Sequence, residues 1–175
     1  MILGAVLIGG RSSRFGSDKA EAEWNGRTLA DHAAAVIGQH VDLVVRVGGG
    51  GAVPDLPRPG LGPLGGIAGA LDHAASHGFE SVLTIACDMP RVPSELITAL
   101  LRRAPSYCAD APVLGHWPAA LGAQLLGWVE GDDRSIRGWA HAVGALPISS
   151  PEPLGNVNTR DDLDALMRGD SQMAL

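Results

Sequence analysis

The chain has 175 residues, of which 46% are hydrophobic, 18% are charged and 4% are aromatic, and its formal net charge is -6. This composition is typical of a folded globular protein, and the acidic balance, with no basic stripe, argues against a nucleic-acid partner. The apolar start is too short for a signal or membrane-spanning segment, and two widely spaced cysteines argue against a secreted, disulfide-bonded domain. We therefore expect one domain over residues 1–175, frayed after about residue 168, in the cytoplasm and without a membrane partner.

The apolar pattern along the chain predicts alternating strands and helices. Strands are predicted at residues 2–8, 42–47, 81–86 and 146–148, with weaker candidates at 111–114 and 119–123. Helices are predicted to begin at Thr28, Pro93 and Thr159 and to cover residues 64–77, 124–130 and 135–143. The Gly/Pro-rich stretch 48–63 is too long for a simple connection and is predicted to be a functional loop. This order predicts a three-layer α/β/α, Rossmann-like domain with a mostly parallel sheet.

Unusual residues follow three of the predicted strands directly. Gly9 and Gly10 follow the first, the glycine run 48–51 follows the second, and Asp88 follows the third. Ligands of such sheets bind beyond the carboxyl ends of the strands. The sequence therefore predicts the chemistry at this edge.

The segment 7–19 combines glycines with two cations, Arg14 and Lys19. Glycines let backbone N–H groups approach an anion, and the cations add positive charge where a triphosphate would lie. The spacing fits neither a Walker loop nor a dinucleotide fingerprint. The alternative is a strand-to-helix turn that merely uses glycine.

Four blocks in order extend this pattern over nearly the whole chain. They read Leu7-x-Gly9-Gly10-x-x-x-Arg14-x-Gly16-x-Asp18-Lys19, Gly62-Pro63-Leu64-Gly65-Gly66, Cys87-Asp88-Met89-Pro90 and Asn156-Val157-Asn158-Thr159. Together they resemble the nucleotidyltransferases of the molybdenum cofactor guanylyltransferase (MobA) family. The resemblance implies the nucleotidyltransferase-type sheet. It also implies that the enzyme transfers GMP from GTP to molybdopterin and releases pyrophosphate.

The resemblance also implies roles for the charged residues. Asp88 is expected to bind Mg²⁺, with Asn158 completing the metal site, whereas a turn-capping Asp and an ordinary turn residue are the alternatives. Lys19 and Arg14 are expected to stabilise charge on the triphosphate. The acceptor phosphate is already an anionic nucleophile, so we expect neither a general base nor a covalent intermediate.

The nucleotide is expected to contact a second set of positions. Asp55 lies at the family's spacing for an acidic nucleotide contact, with an ordinary loop residue as its alternative. The remaining expected contacts are Leu7, Ile8, Gly9, Gly10 and Gly62, with Lys19 and Asp88.

The acceptor side and the partners are less defined by the sequence. Arg134 and Arg137 resemble a family segment near the second substrate, where they would hold a pterin phosphate, but a solvated helix start explains them as well. Molybdoenzyme maturation proteins are the expected protein partners. The alternatives for the activity are a cytidylyltransferase and a non-catalytic nucleotide-binding module with a regulatory or delivery role.

Overall fold

The computed structural model describes residues 1–9 and 19–165. The strands are β1 (Ile2–Leu7), β2 (Glu23–Trp24), β3 (Arg27–Thr28), β4 (Leu43–Val47), β5 (Ser81–Ala86), β6 (Ser106–Cys108), β7 (Gly115–Pro118) and β8 (Leu146–Ile148). The α-helices are α1 (Leu29–Gly38), α2 (Pro63–Ser76), α3 (Ser94–Leu101), α4 (Gly122–Val129) and α5 (Ile136–Ala142). Residues 160–165 are also helical, and 3-10 turns cover Lys19–Glu21 and Ala119–Leu121.

Six strands form one sheet in the order β4-β1-β5-β7-β6-β8, while β2 and β3 form a separate hairpin. The pairs β1/β4, β1/β5 and β6/β8 are parallel, and β7 runs antiparallel to both its neighbours. The predicted mostly parallel α/β sheet is thus confirmed. Because β7 is antiparallel to both β5 and β6, β6 runs in the same direction as β5. The carboxyl ends of β4, β1, β5, β6 and β8 therefore lie at one edge of the sheet.

A hydrophobic layer covers each face of the sheet. On one face, Leu3 and Ala5 of β1 pack with α2, α4 and α5. On the other face, Val6 of the same strand packs with α1 and α3. This alternation along a strand buried on both faces explains why its sequence is a continuous apolar run. None of the helices that the structure describes has the length and apolarity needed to cross a membrane.

Most predicted elements are confirmed, but the two weaker strand candidates are wrong. Residues 111–114 form the turn between β6 and β7, closed by a hydrogen bond from the Leu114 N–H to the Ala111 carbonyl (2.9 Å). Residues 119–123 form a 3-10 turn that leads into α4. Both segments are apolar because they lie against the core, not because they pair in the sheet. The strands β6 and β7 and the β2/β3 hairpin were not predicted.

Candidate active site

Three neighbouring strands end together at one edge of the sheet. The Ile8 N–H donates to the Val47 carbonyl (2.9 Å), and the Cys87 N–H donates to the Leu7 carbonyl (3.1 Å). These bonds continue the parallel ladders one residue beyond β1 and β5. Gly48, Gly9 and Asp88 therefore follow adjacent strands at the same edge, where the sequence predicts the chemistry.

Lys19 lies at the centre of this edge. Its Nζ donates to Asp88 Oδ2 at 2.9 Å and to Asn158 Oδ1 at 3.2 Å. The side chains of Lys19 and Asp88 are 15% and 22% exposed, so this ion pair is partly shielded from water. The three predicted residues thus meet at one point, and two oxygen atoms converge there on a cation.

The segment 156–165 holds Asn158 in place. The Val157 N–H donates to the Asp88 carbonyl (2.9 Å), and the Val157 side chain is buried against Trp24. Asp162 Oδ2 accepts the backbone N–H groups of Asn158 and Thr159, both at 2.8 Å. These bonds, chiefly the one from Asn158, lower the pKa of Asp162 and keep its carboxylate ionised.

The donor set fits a hard divalent cation. Carboxylate and amide oxygens are ligands of Mg²⁺, which keeps several waters and is usually shared with substrate phosphates. Within residues 1–9 and 19–165, no group of three or more His, Cys, Asp or Glu side chains could hold a metal. Asp88 and Asn158 therefore fit an ion that is shared with a nucleotide better than one enclosed by protein.

Asp55 lies on the β4 side of the same edge. A Cβ added to Gly48 (φ 76°) would lie 2.6 Å from Asp55 Oδ1, and one added to Gly9 would lie 3.4 Å from Oδ2. The carboxylate thus lies directly against the two glycine turns. Burial raises the pKa of Asp55, and none of the described residues donates a hydrogen bond to its carboxylate.

Helix α2 fixes the position of Asp55. The Leu56 N–H donates to the Gly65 carbonyl (3.0 Å), and a Cβ at Gly69 would overlap the carbonyl oxygen of Pro54. Only glycine at position 69 allows the segment 53–56 to lie this close to the helix. The predicted functional loop is therefore attached to the scaffold at the point that carries its carboxylate.

A cavity of about 560 Å³ opens beside Gly9 and extends from Asp88 across the sheet edge towards β6. Its near side is lined by Leu7, Gly9, Gly62, Pro63, Ala86 and Asp88. Its far side is lined by Asp110, Ala111, Pro112, Val113, Ser135, Ile136 and Arg137, and Asn156 also lines the cavity. One face of the cavity thus belongs to the predicted nucleotide residues and the other to a separate part of the chain.

The structure places the remaining predicted residues as follows. Ile8 is half-buried beside Gly9, and Arg137 lines the cavity, whereas Arg134 does not. Gly10 and Arg14 lie outside the described residues, so their expected roles stay predictions. Sequence reasoning missed Asp110, although it follows β6 by the same two positions as Asp88 follows β5.

The MobA-like NTP transferase domain model matches residues 4–140. The chain belongs to this family. It is 35% identical to a molybdenum cofactor guanylyltransferase of Rhizobium leguminosarum bv. trifolii, in an alignment that covers 93% of this chain and 90% of that relative. The predicted family is thereby confirmed, and the chain is a nucleotidyltransferase.

Solved structures agree on the fold. The molybdopterin-guanine dinucleotide biosynthesis protein A of Archaeoglobus fulgidus superposes with a TM-score of 0.74 at 21% identity, covering 98% of this chain and 100% of that chain. A Mycobacterium tuberculosis protein in a complex with manganese superposes with a TM-score of 0.60 at 15% identity, covering 95% of this chain and 98% of that chain. A protein of this fold thus binds a divalent metal.

Proposed function

We propose that this chain transfers GMP from Mg-GTP to the phosphate of molybdopterin, releasing pyrophosphate and giving the molybdopterin guanine dinucleotide. The observation that carries this proposal is the convergence of Lys19, Asp88 and Asn158 beside Gly9. The name of the Rhizobium relative supports the choice of substrates.

The order of the site residues along the carboxyl edge of the sheet supports a matching order for the guanine, the triphosphate and the acceptor. Asp55 lies beside the glycines after β4 and β1, Lys19 and Asp88 lie at the end of β5, and the cavity continues towards β6. We place the guanine near Asp55, the triphosphate over Gly9 and beside Lys19, and the acceptor in the far half of the cavity.

Guanine suits the position of Asp55. A carboxylate accepts hydrogen bonds only, and the ring N–H and amino group of guanine are two adjacent donors. Cytosine lacks that pair of donors. The desolvation of Asp55 strengthens any hydrogen bond that its carboxylate accepts.

The reaction requires in-line displacement at phosphorus. An oxygen of the acceptor phosphate forms a bond to the α-phosphorus of GTP, and the bond from that phosphorus to the oxygen bridging to the β-phosphate breaks. The electron pair of the broken bond leaves with pyrophosphate. Since the nucleophile is already an anion, no side chain has to remove a proton.

Charge neutralisation is the main contribution of the protein. Lys19 exchanges Asp88 for a phosphate oxygen and stabilises the leaving pyrophosphate, with Arg14 in the same role. Asp88 and Asn158 would hold Mg²⁺, which would supply charge neutralisation and orient the phosphates. Gly9 lets the backbone approach the triphosphate closely.

Pyrophosphate release from GTP, ATP, CTP and UTP, with Mg²⁺ and molybdopterin, tests this function. The matched variants are Asp88→Asn and Asp72→Asn, because both remove one negative charge and Asp72 is exposed on α2, away from the edge. We expect release from GTP, reduced about 100-fold or more by Asp88→Asn and unchanged by Asp72→Asn.

Other results would assign another function. Release from CTP instead of GTP indicates a cytidylyltransferase. Binding of GTP without release from any nucleotide indicates a regulatory or delivery module. We further propose that the protein works in the cytoplasm with molybdoenzyme maturation proteins.

A further inference from the structure

The far half of the cavity contains a second carboxylate at the strand edge, that of Asp110. Asp110 follows β6 as Asp88 follows β5, and β6 has the same direction as β5 because β7 is antiparallel to both. Asp88 and Asp110 both line the same cavity. The fold thus places Asp110 on the ligand side of the sheet, two strands from the candidate metal site.

Three hydrogen bonds hold Asp110 in place. The Ser150 N–H donates to Asp110 Oδ2 at 2.8 Å, and the Ala109 N–H donates to the Ile148 carbonyl at 2.9 Å. Arg137 Nη2 donates to the Ala109 carbonyl at 2.6 Å. These bonds join the end of β6 to β8 and α5, so the carboxylate is carried by a fixed segment of chain.

Asp88 and Asp110 follow strands that lie two positions apart in the sheet. Two strand spacings along the edge amount to about 10 Å. An acceptor whose phosphate reacts beside Asp88 therefore extends its ring system to the region of Asp110. Pro112, Val113 and Ile136 add apolar lining to the same cavity, which suits a flat ring.

We propose that Asp110 recognises the pterin ring of the acceptor by accepting hydrogen bonds from its pyrimidine N–H and its exocyclic amino group. This inference rests on the proposed function, since it takes molybdopterin as the acceptor. The Ser150 N–H occupies one lone pair of Asp110 Oδ2, so Oδ1 and the remaining lone pair of Oδ2 are left to accept hydrogen bonds from the ligand.

Arg137 complements Asp110 on the same ring edge. Apart from its bond to Ala109, its guanidinium makes no hydrogen bond to another described residue, and it lines the cavity beside Asp110. It can donate to the ring carbonyl, which is next to the N–H that Asp110 accepts. Arg137 is therefore assigned to the ring carbonyl rather than to the acceptor phosphate.

The test compares two ligands that differ at one group. Phosphorylated hydroxymethylpterin carries the amino group, and the corresponding lumazine carries an oxygen in its place, which would face the carboxylate unfavourably. Their affinities for the full chain can be measured by pteridine fluorescence titration. We expect wild type to bind the pterin about 10-fold to 100-fold more tightly than the lumazine.

The variants Asp110→Asn and Asp132→Asn provide the matched pair. An asparagine in place of Asp110 can still accept the Ser150 N–H through its oxygen, so the fold is kept, but its amide then presents a donor to the ligand. The pterin preference should disappear or reverse in Asp110→Asn, with GTP affinity unchanged. Asp132, exposed and outside the cavity, loses the same charge and should behave as wild type.

Three results would overturn the inference, and they separate it from the proposed function. If wild type and Asp110→Asn show the same pterin preference, Asp110 does not read the ring, although the proposed function stands. If Asp110→Asn weakens GTP as much as the pterin, Asp110 belongs to the nucleotide site. If wild type binds neither pteridine but binds GTP, both the proposed acceptor and this inference are wrong.

Discussion

Replacement of Asp55 by asparagine tests the base assignment most directly. The asparagine side chain has nearly the same size and shape, so the loop against α2 should keep its position. The change replaces one acceptor oxygen by a donor NH₂ group and removes the charge. Because Gly9 and Gly48 lie against both carboxylate oxygens, the amide cannot turn away from the site without moving one of the glycine turns.

The expected loss is that of one charge-assisted hydrogen bond. Such a bond contributes about 1.5–3 kcal/mol, which corresponds to about 10-fold to 100-fold in affinity. The bond at stake joins the carboxylate to the amino group of guanine, which inosine triphosphate lacks. Wild type should therefore prefer GTP to ITP by this factor, and Asp55→Asn should bind the two equally.

Calorimetric titration of GTP and ITP in the presence of Mg²⁺ measures this preference, with Asp72→Asn as the charge control. An unchanged ratio of the two affinities in Asp55→Asn would refute the guanine contact. A loss of affinity for both nucleotides by the same factor would instead indicate that Asp55 contacts the ribose or acts on the loop.

Although Asp55→Asn should weaken the binding of GTP, it should raise the stability of the protein without ligand. Burial raises the pKa of Asp55, so ionisation lowers the free energy of unfolding as the pH rises through that raised pKa. Without ligand, Asp55→Asn should be more stable than wild type at neutral pH in urea unfolding. This difference should shrink as the pH falls below the usual pKa of an aspartate, where Asp55 of wild type is protonated in both the folded and the unfolded state. Equal stability at neutral pH would contradict the desolvation of Asp55.

Three further predictions concern other parts of the molecule. In EPR titrations without nucleotide, Lys19→Met should bind Mn²⁺ about 10-fold more tightly than wild type, because the metal no longer has to displace the lysine ammonium from Asp88. Equal affinities would refute this prediction. Gly69→Ala should lower stability by about 1–3 kcal/mol through overlap with the neighbouring loop, whereas Gly127→Ala, where the helix surface is open, should raise it by about 0.5–1 kcal/mol. Burial lowers the pKa of His116 below about 6.5, the value expected in the unfolded chain. The free energy of unfolding should therefore decrease as the pH falls through about 6.5. In urea unfolding, His116→Gln should lack this part of the pH dependence.

The sequence predicted the parts of the fold whose burial follows a simple pattern. Strands β1 and β5 are buried on both faces, so their apolar runs are continuous. Strand β7 escaped prediction because its interior includes a histidine and a glycine rather than an apolar run. His116 is buried there because its ring nitrogens contact Ser81 Oγ (2.8 Å) and the Leu100 carbonyl (3.2 Å). These two contacts compensate for the burial of the imidazole, and they come from residues distant in sequence, so no local pattern shows them.

The same distinction applies to the candidate site. Asp88 and Lys19 lie in motifs, so the sequence singled them out before their contact was known. Asp110 lies in no motif, and it enters the site only because β7 reverses direction and brings β6 into line with β5.

The pairing of Lys19 with Asp88 bears on which form of the nucleotide the site accepts. The net charge of the chain is -6, and a free triphosphate meets Lys19 when it is already neutralised by Asp88. A free cation meets Asp88 when it is already paired with Lys19. Either ligand alone has to break the ion pair and leave one partner partly buried and uncompensated, which is costly. Mg-GTP compensates both partners at once, because Lys19 turns to phosphate while Asp88 keeps a cation. On the proposed function, the ion pair therefore couples the binding of metal and nucleotide and favours their complex over either component.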